Sequence, residues 1–129
     1  MLVRFKTNVK LRSDIFEQRV RDLVMARMAK AAMMVRARIV RKIRRFATRK
    51  HGPSKPGDPP HVDTGHLSGR SIFWRMKADG SLAVEIGVNV KYGIWLELGT
   101  SKMAARPYLR STFMEMLPTV QKVVATGRG

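Results

Sequence analysis

Apolar residues recur at spacings of three and four through the first third of the chain: Phe16, Val20, Val24, Met28, Ala32, Val35, Ile39, Ile43 and Phe46. Such spacing lines one face of an α-helix. No Pro or Gly interrupts the chain between Ser13 and Arg49. Ser13 suits an N-cap, and Asp14 and Glu17 fall in the first turn, where carboxylates are favoured by the helix dipole. The predicted helix therefore runs from Ser13 to about Arg49 and spans about 50 Å at 1.5 Å per residue. That exceeds the width of a compact domain of this size, so one end is expected to project or to pack on a neighbouring subunit. Ahead of it, residues 1–10 alternate loosely, with Leu2, Phe5 and Val9 apolar, and read as an edge strand or an ordered arm.

The pattern changes to a period of two in residues 71–78 and 82–89, which predict two strands. Ile72, Trp74 and Met76 share one face of the first, and Leu82, Val84, Ile86 and Val88 share one face of the second. Asp79-Gly80 suggests a two-residue turn, but that turn would place the two apolar faces on opposite sides of the sheet. A three-residue loop, Asp79-Gly80-Ser81, pairs Met76 with Val84 and Trp74 with Ile86, and the faces then agree. The buried face sets the register, so this loop is preferred, with Gly80 or Ser81 at positive φ. Arg75 and Lys77 would then lie near Glu85 on the other face.

Residues 50–70 hold His51, Gly52, Pro53, Pro56, Gly57, Pro59, Pro60, Gly65 and Gly69 and predict an extended loop. Residues 92–98 predict a helical turn or brief helix ended by Gly99, in which Tyr92, Trp95, Leu96 and Leu98 are expected to anchor on the sheet. A basic loop follows, and Pro107 can open the last helix. Leu109, Phe113, Met116 or Leu117, and Val120 give that helix an apolar face. Pro118 is expected to kink or end it, and residues 121–129 to fray. The fold class is α+β: a long N-terminal helix and a C-terminal helix packed on a small antiparallel β-sheet, with the two predicted strands at its centre. At 129 residues the chain reads as a single domain.

Charge changes the picture. Lys and Arg number 26 against 9 Asp and Glu, a net charge of +17. Such a chain repels itself and attracts polyanions or acidic surfaces. On the predicted long helix, Arg38, Arg41, Arg45 and Arg49 form a basic stripe with Arg27, and no acidic residue occurs between Asp22 and Asp58. The stripe is either a solvated face or a surface for DNA or an acidic partner. The chain has no cysteine, which excludes disulfides and thiolate chemistry. The longest apolar run, residues 31–35, is too short to span a bilayer, and the N-terminus lacks a signal peptide's apolar segment. No membrane partner is expected.

Catalytic signatures are missing. There is no nucleophile elbow, no phosphate-cradling glycine loop and no paired His at helical spacing. His61, Asp63 and His66 are the one metal-like cluster, and they match no complete ligand spacing. The expectation is no enzyme activity, no catalytic residue, no cofactor and no metal.

Two stretches resemble a known family. Tyr92, Leu96-Glu97-Leu98-Gly99-Thr100 and Lys102-Met103-Ala104-Ala105-Arg106-Pro107-Tyr108-Leu109-Arg110 resemble the signature of tailed-phage neck or tail-completion proteins. Pro56-Gly57-Asp58-Pro59-Pro60, Thr64-Gly65-His66-Leu67 and Ser71-Ile72 resemble the same family's middle segment. The resemblance implies a structural virion protein of the phage neck, made in the host cytoplasm. It would form a homo-oligomeric ring of six or twelve copies at the head–tail junction, joining the capsid connector or adaptor to tail-tube or tail-terminator proteins and letting DNA pass. Aromatic and arginine residues are favoured at protein interfaces, so Tyr92, Trp95, Lys102, Arg106, Tyr108 and Arg110 are the expected contact residues. Arg38, Arg41, Arg45 and Arg49 are the expected surface for DNA or an acidic partner. The alternative is a non-specific DNA-binding protein that uses the basic N-terminal helix.

Overall fold

The computed structural model describes residues 2–7, 14–45, 55–57, 71–77, 81–102 and 104–128. In chain order the elements are strand β1 (Leu2–Lys6), helix α1 (Asp14–Arg44), strands β2 (Ile72–Met76) and β3 (Ala83–Val88), helix α2 (Lys91–Leu98) and helix α3 (Arg110–Thr126). The architecture is the expected α+β one. One face of a three-stranded antiparallel sheet is covered by the long helix, against which the C-terminal helix also packs.

The three-and-four spacing of α1 becomes its buried face. Met28, Ala32, Val35, Ile39 and Ile43 are buried, and Val20 and Val24 are half-buried. They meet Ile72, Val84, Ile86 and Val88 of the sheet and Leu109, Phe113, Val120 and Val123 of α3 in one apolar cluster. Phe5 of β1 stacks on Phe113 of α3 with ring centroids 5.7 Å apart. The helix ends at Arg44, short of the expected Arg49; Ser13, the side chain of Phe16 and residues 46–50 lie outside the described residues.

The strand register matches the three-residue loop: Trp74 pairs with Ile86 and Met76 with Val84. Gly80 lies outside the described residues, and Ser81 does not adopt positive φ. The sheet order is β1-β3-β2, so β3 alone is central and β2 is an edge, not a second central strand. The N-terminal segment takes the other edge, with Val3 opposite Ile86 and Phe5 opposite Val84. That pairing spans most of the chain, and local pattern could offer it only as one option.

The last helix departs from expectation at both ends. It begins at Arg110, three residues after Pro107, and it runs through Pro118 to Thr126 without stopping there. Gly127, in the left-handed region at φ 75°, closes it by donating its backbone N–H to the Val123 carbonyl at 2.7 Å. Its last turn is held rather than frayed. Arg27 of α1 donates to the carbonyls of Ala125 (2.9 Å) and Val124 (3.4 Å), and Lys30 donates to that of Gly127 (2.8 Å). Cations belong at this negative end of the helix dipole. α1 and α3 are therefore antiparallel, and the same antiparallel pairing brings Glu115 of α3 to Arg38 and Lys42 of α1.

The α1 seam carries the core, so truncation within it is expected to be costly. Ile39→Ala removes a fully buried side chain between sheet and α3 and is expected to lower unfolding free energy by about 2–5 kcal/mol in urea titration.

Candidate functional site

The segment 91–110 is built around one carboxylate. In α2, Gly93 and Glu97 lie four residues apart and are the buried positions of the helix. The two oxygens of Glu97 accept three backbone N–H groups: those of Tyr108 (2.7 Å) and Leu109 (2.9 Å) on Oε2, and that of Arg110 (3.0 Å) on Oε1. These N–H groups open α3, whose N-cap position, Leu109, has no side-chain acceptor of its own. A helix start leaves such donors without internal partners and attracts negative charge. Glu97 supplies both needs from another element.

A second tie lies beside it. The Tyr108 side chain is fully buried and donates its hydroxyl to the Gly93 carbonyl at 2.7 Å. Burial, then the neighbouring Glu97 and Tyr92, push its ionisation well above the usual phenol range, so it stays a donor at any physiological pH. Gly99, at φ 77°, ends α2 and bonds back to the Trp95 carbonyl at 2.6 Å. The Arg106 N–H reaches the Leu96 carbonyl at 2.6 Å, and the Gly57 N–H reaches the Ala105 carbonyl at 2.9 Å.

With Gly93 and Glu97 turned inward, the opposite side of α2 faces out. Tyr92 is 39% exposed, Trp95 52% and Leu98 63%. This overturns the expectation that Tyr92, Trp95, Leu96 and Leu98 anchor the helix. Of these only Leu96, with Ile94, is partly buried against the core. Lys102 and Arg110 are exposed, and Arg106 is half-buried. Tyr108, expected at the contact surface, is instead a buried support.

The expected basic surface on α1 is divided. Arg38 pairs with Glu115 at 3.1 Å, and Lys42 pairs with the same carboxylate. Arg41 and Arg45 are exposed; Arg49 lies outside the described residues. The stripe lacks acidic partners along its own helix, as its sequence indicates, but receives one from α3.

Sequence reading missed Arg4. The carboxylate of Glu85, at the centre of the sheet, is gripped from both sides: by Arg75 Nε at 2.8 Å and by Arg4 Nη2 at 2.7 Å. The three residues stand in one cross-strand row. Only the β1 pairing reveals Arg4.

Among the described residues, no group of three His, Asp or Glu side chains could hold a metal ion. His61, Asp63 and His66 lie outside them. No helix among the described residues is long and apolar enough to cross a membrane.

Fold and junction together define a small α+β domain that turns an apolar ridge outward, the kind of surface that meets another protein. The chain belongs to the family described as "Bacteriophage HK97-gp10, putative tail-component", whose model matches residues 6–99. Membership gives it a structural role in a phage particle, in the tail region. The match includes the Leu96–Gly99 part of the signature and stops before the segment that Glu97 caps. The chain matches no curated protein and no solved structure.

Two outcomes test the junction and the row. Glu97→Ala strands three N–H groups, each a loss of about 1–3 kcal/mol when buried without a partner. A destabilisation of at least about 3 kcal/mol is expected by chemical denaturation, while Trp95→Ala stays near neutral. The second concerns acid. Arg75 and then Arg4 hold the Glu85 carboxyl below its ordinary value of 4.5, and Lys42 and then Arg38 do the same to Glu115. A depressed carboxyl contributes stability that is complete above its unfolded value and disappears as pH falls through the folded one. Stability is therefore expected to fall below about pH 4.5, and Glu85→Gln to flatten that acid limb; an identical limb in the variant would remove Glu85 from the account.

Proposed function

We propose that the protein forms a ring at the head–tail junction, joins the capsid connector to the tail and lets DNA pass, acting as a scaffold rather than a catalyst. The observation that carries this reading is the exposed ridge of Tyr92, Trp95 and Leu98 on a helix whose inner side is fixed by a buried carboxylate. Large aromatic side chains at 39–52% exposure are poorly placed in water and well suited to the centre of a protein contact. Arg106, Lys102 and Arg110 would flank that contact.

A ring needs two different surfaces that fit one another, because like-to-like contacts close after two copies. The chain carries a second surface of the required kind. A groove of about 530 Å³ lies between the end of β1, α1 and the later half of α3, lined by Phe5, Val24, Met28, Leu117, Val120 and Val124, with Lys6 and Arg27 also on its wall. Cations beside an apolar recess suit the face of an incoming aromatic ring. Ridge and groove lie at opposite ends of the domain. α2 follows the C-terminal end of β3, whereas Lys6 pairs with Ala83 at the other end. Likewise α2 holds the start of α3, and the groove uses residues near its finish. Neighbouring copies would thus join head to tail, ridge into groove.

The test uses complementary variants. Trp95→Ala removes the ridge's largest side chain, and Gln121→Trp, at an exposed groove position, fills the recess. Each alone is expected to sediment as monomer where wild type assembles, by itself or with neighbouring neck proteins. An equal mixture is expected to give heterodimers, since one intact ridge then meets one intact groove. A wild type that stays monomeric with every virion component overturns the ring. Undiminished assembly by Trp95→Ala overturns the ridge as its contact.

A further inference from the structure

Helix α1 carries two apolar stripes, and only one of them faces the core. The first, with Met28, Val35, Ile39 and Ile43, is buried against the sheet and α3. The second lies on the opposite side. Leu23, Ala26, Lys30, Met33, Ala37 and Val40 follow one another at alternating steps of three and four. That is heptad spacing, the pattern along which one helix packs against another. Leu23 and Met33 are 50% and 51% exposed; Ala26, Lys30 and Ala37 are exposed, and Val40 is half-buried. Single exposed apolar residues need no explanation. These share one spacing on one rigid helix, and the low side chains of Ala26 and Ala37 let a neighbour approach between Leu23, Met33 and Val40. Arg19 and Arg44 continue the spacing at either end, so the stripe is about 38 Å long, or roughly 3.5 heptads. A long straight apolar line on a helix calls for another helix.

Charge selects which helix. Lys30 stands in the middle of the stripe, Arg19 at its start, and Arg41 is exposed beside Val40. Lys30 donates to the Gly127 carbonyl at 2.8 Å, but that partner is neutral and leaves the ammonium charge in place. Asp22 is the one carboxylate in residues 18–44, and it accepts a hydrogen bond from Gln18 at 2.9 Å. A second copy of this chain therefore fits poorly. Paired in parallel, Lys30 would meet Lys30 and Arg19 would meet Arg19. Paired antiparallel with the stripe fully overlapped, Arg19 would stand level with Arg44 at both ends. Each copy also brings a net charge of +17. A nucleic acid fits no better, because phosphates gain nothing from Leu23, Met33 and Val40. We propose that the outer stripe of α1 binds an acidic amphipathic α-helix of another protein. Its apolar residues would seat on Leu23, Met33 and Val40, and its carboxylates would lie beside Arg19, Lys30 and Arg41. The stripe shares no residue with the α2 ridge or the groove, so the proposal does not rest on the ring.

The probe is a synthetic peptide of about four heptads with Leu at the a and d positions and Glu at e and g. Its own carboxylates discourage it from pairing with itself. The full chain is expected to bind it in fluorescence anisotropy, to raise its helicity in circular dichroism, and to hold it less tightly as salt rises. A peptide of the same composition in scrambled order is expected to bind about tenfold more weakly or worse. Leu23→Gln with Met33→Gln changes two exposed side chains. It is expected to keep the wild-type unfolding midpoint and to weaken the heptad peptide by about tenfold or more. Trp95→Ala is expected to bind the peptide as wild type does, which separates this contact from the ridge. Failure of wild type to bind the heptad peptide overturns the proposal. Equal binding of the scrambled peptide reduces the contact to charge alone and also overturns it. Undiminished binding by the Leu23 and Met33 variant moves the contact off the stripe, and equal binding of a twin peptide with Lys at e and g removes the acidic partner. If wild type self-associates in sedimentation and that variant alone abolishes it, a second copy covers the stripe and the assignment fails.

Discussion

The arrangement of the second half of the chain depends on the Glu97 carboxylate. A short helix such as α2 has little stability of its own, and its outward side chains contribute no packing. What fixes it is a set of polar ties: three N–H groups of the α3 start on Glu97, and the Tyr108 hydroxyl on the Gly93 carbonyl. Since residues four apart share a face, committing Gly93 and Glu97 inward commits Tyr92 and Trp95 outward. The exposed ridge is thus a consequence of a buried hydrogen-bond network. That network also explains why an acidic residue stands inside the apolar run Leu96-Glu97-Leu98.

The same device acts at the other end of α3. Its N-terminus receives a carboxylate from α2, and its C-terminus receives Arg27 and Lys30 from α1. Both caps come from other elements, and each has the sign that the helix dipole favours. This is why local rules misplace the boundaries of α3. Pro107 looks like a first helical residue, yet the helix starts where Glu97 can reach. The C-terminal residues look prone to fraying, yet Val123 is buried and the last carbonyls are bonded. Pro118 forfeits one N–H in the interior, and the helix continues through it, packed on both sides of that position by Phe113 and Val120.

What the sequence makes legible is whatever depends on period. The buried seam of α1 and the pairing of Trp74 with Ile86 follow from which positions must face a common core. What it leaves hidden depends on partners distant along the chain. Apolar type alone suggested that Trp95 was an anchor, because hydrophobic residues are more often inside. The reverse holds here because a neighbouring carboxylate has backbone partners that no residue pattern announces. Arg4 and Glu115 were hidden in the same way: each completes a charge cluster only once β1 meets β3 or α3 meets α1. Trp95 and Tyr92 are exposed and Tyr108 is buried, because Glu97 holds the Tyr108 backbone on the inner side of α2 while the opposite side faces out.

Charge and the apolar ridge act over different distances. Copies carrying +17 repel one another through solvent, an effect that salt confines to roughly 8 Å at physiological strength. Apolar contact operates only where surfaces touch. Among the described residues, Glu85, Glu97 and Glu115 tie separate elements together, Glu97 through backbone N–H groups and the other two between pairs of cations. In the proposed ring, salt would have to screen this repulsion before a ridge as small as Tyr92, Trp95 and Leu98 could hold neighbouring copies together.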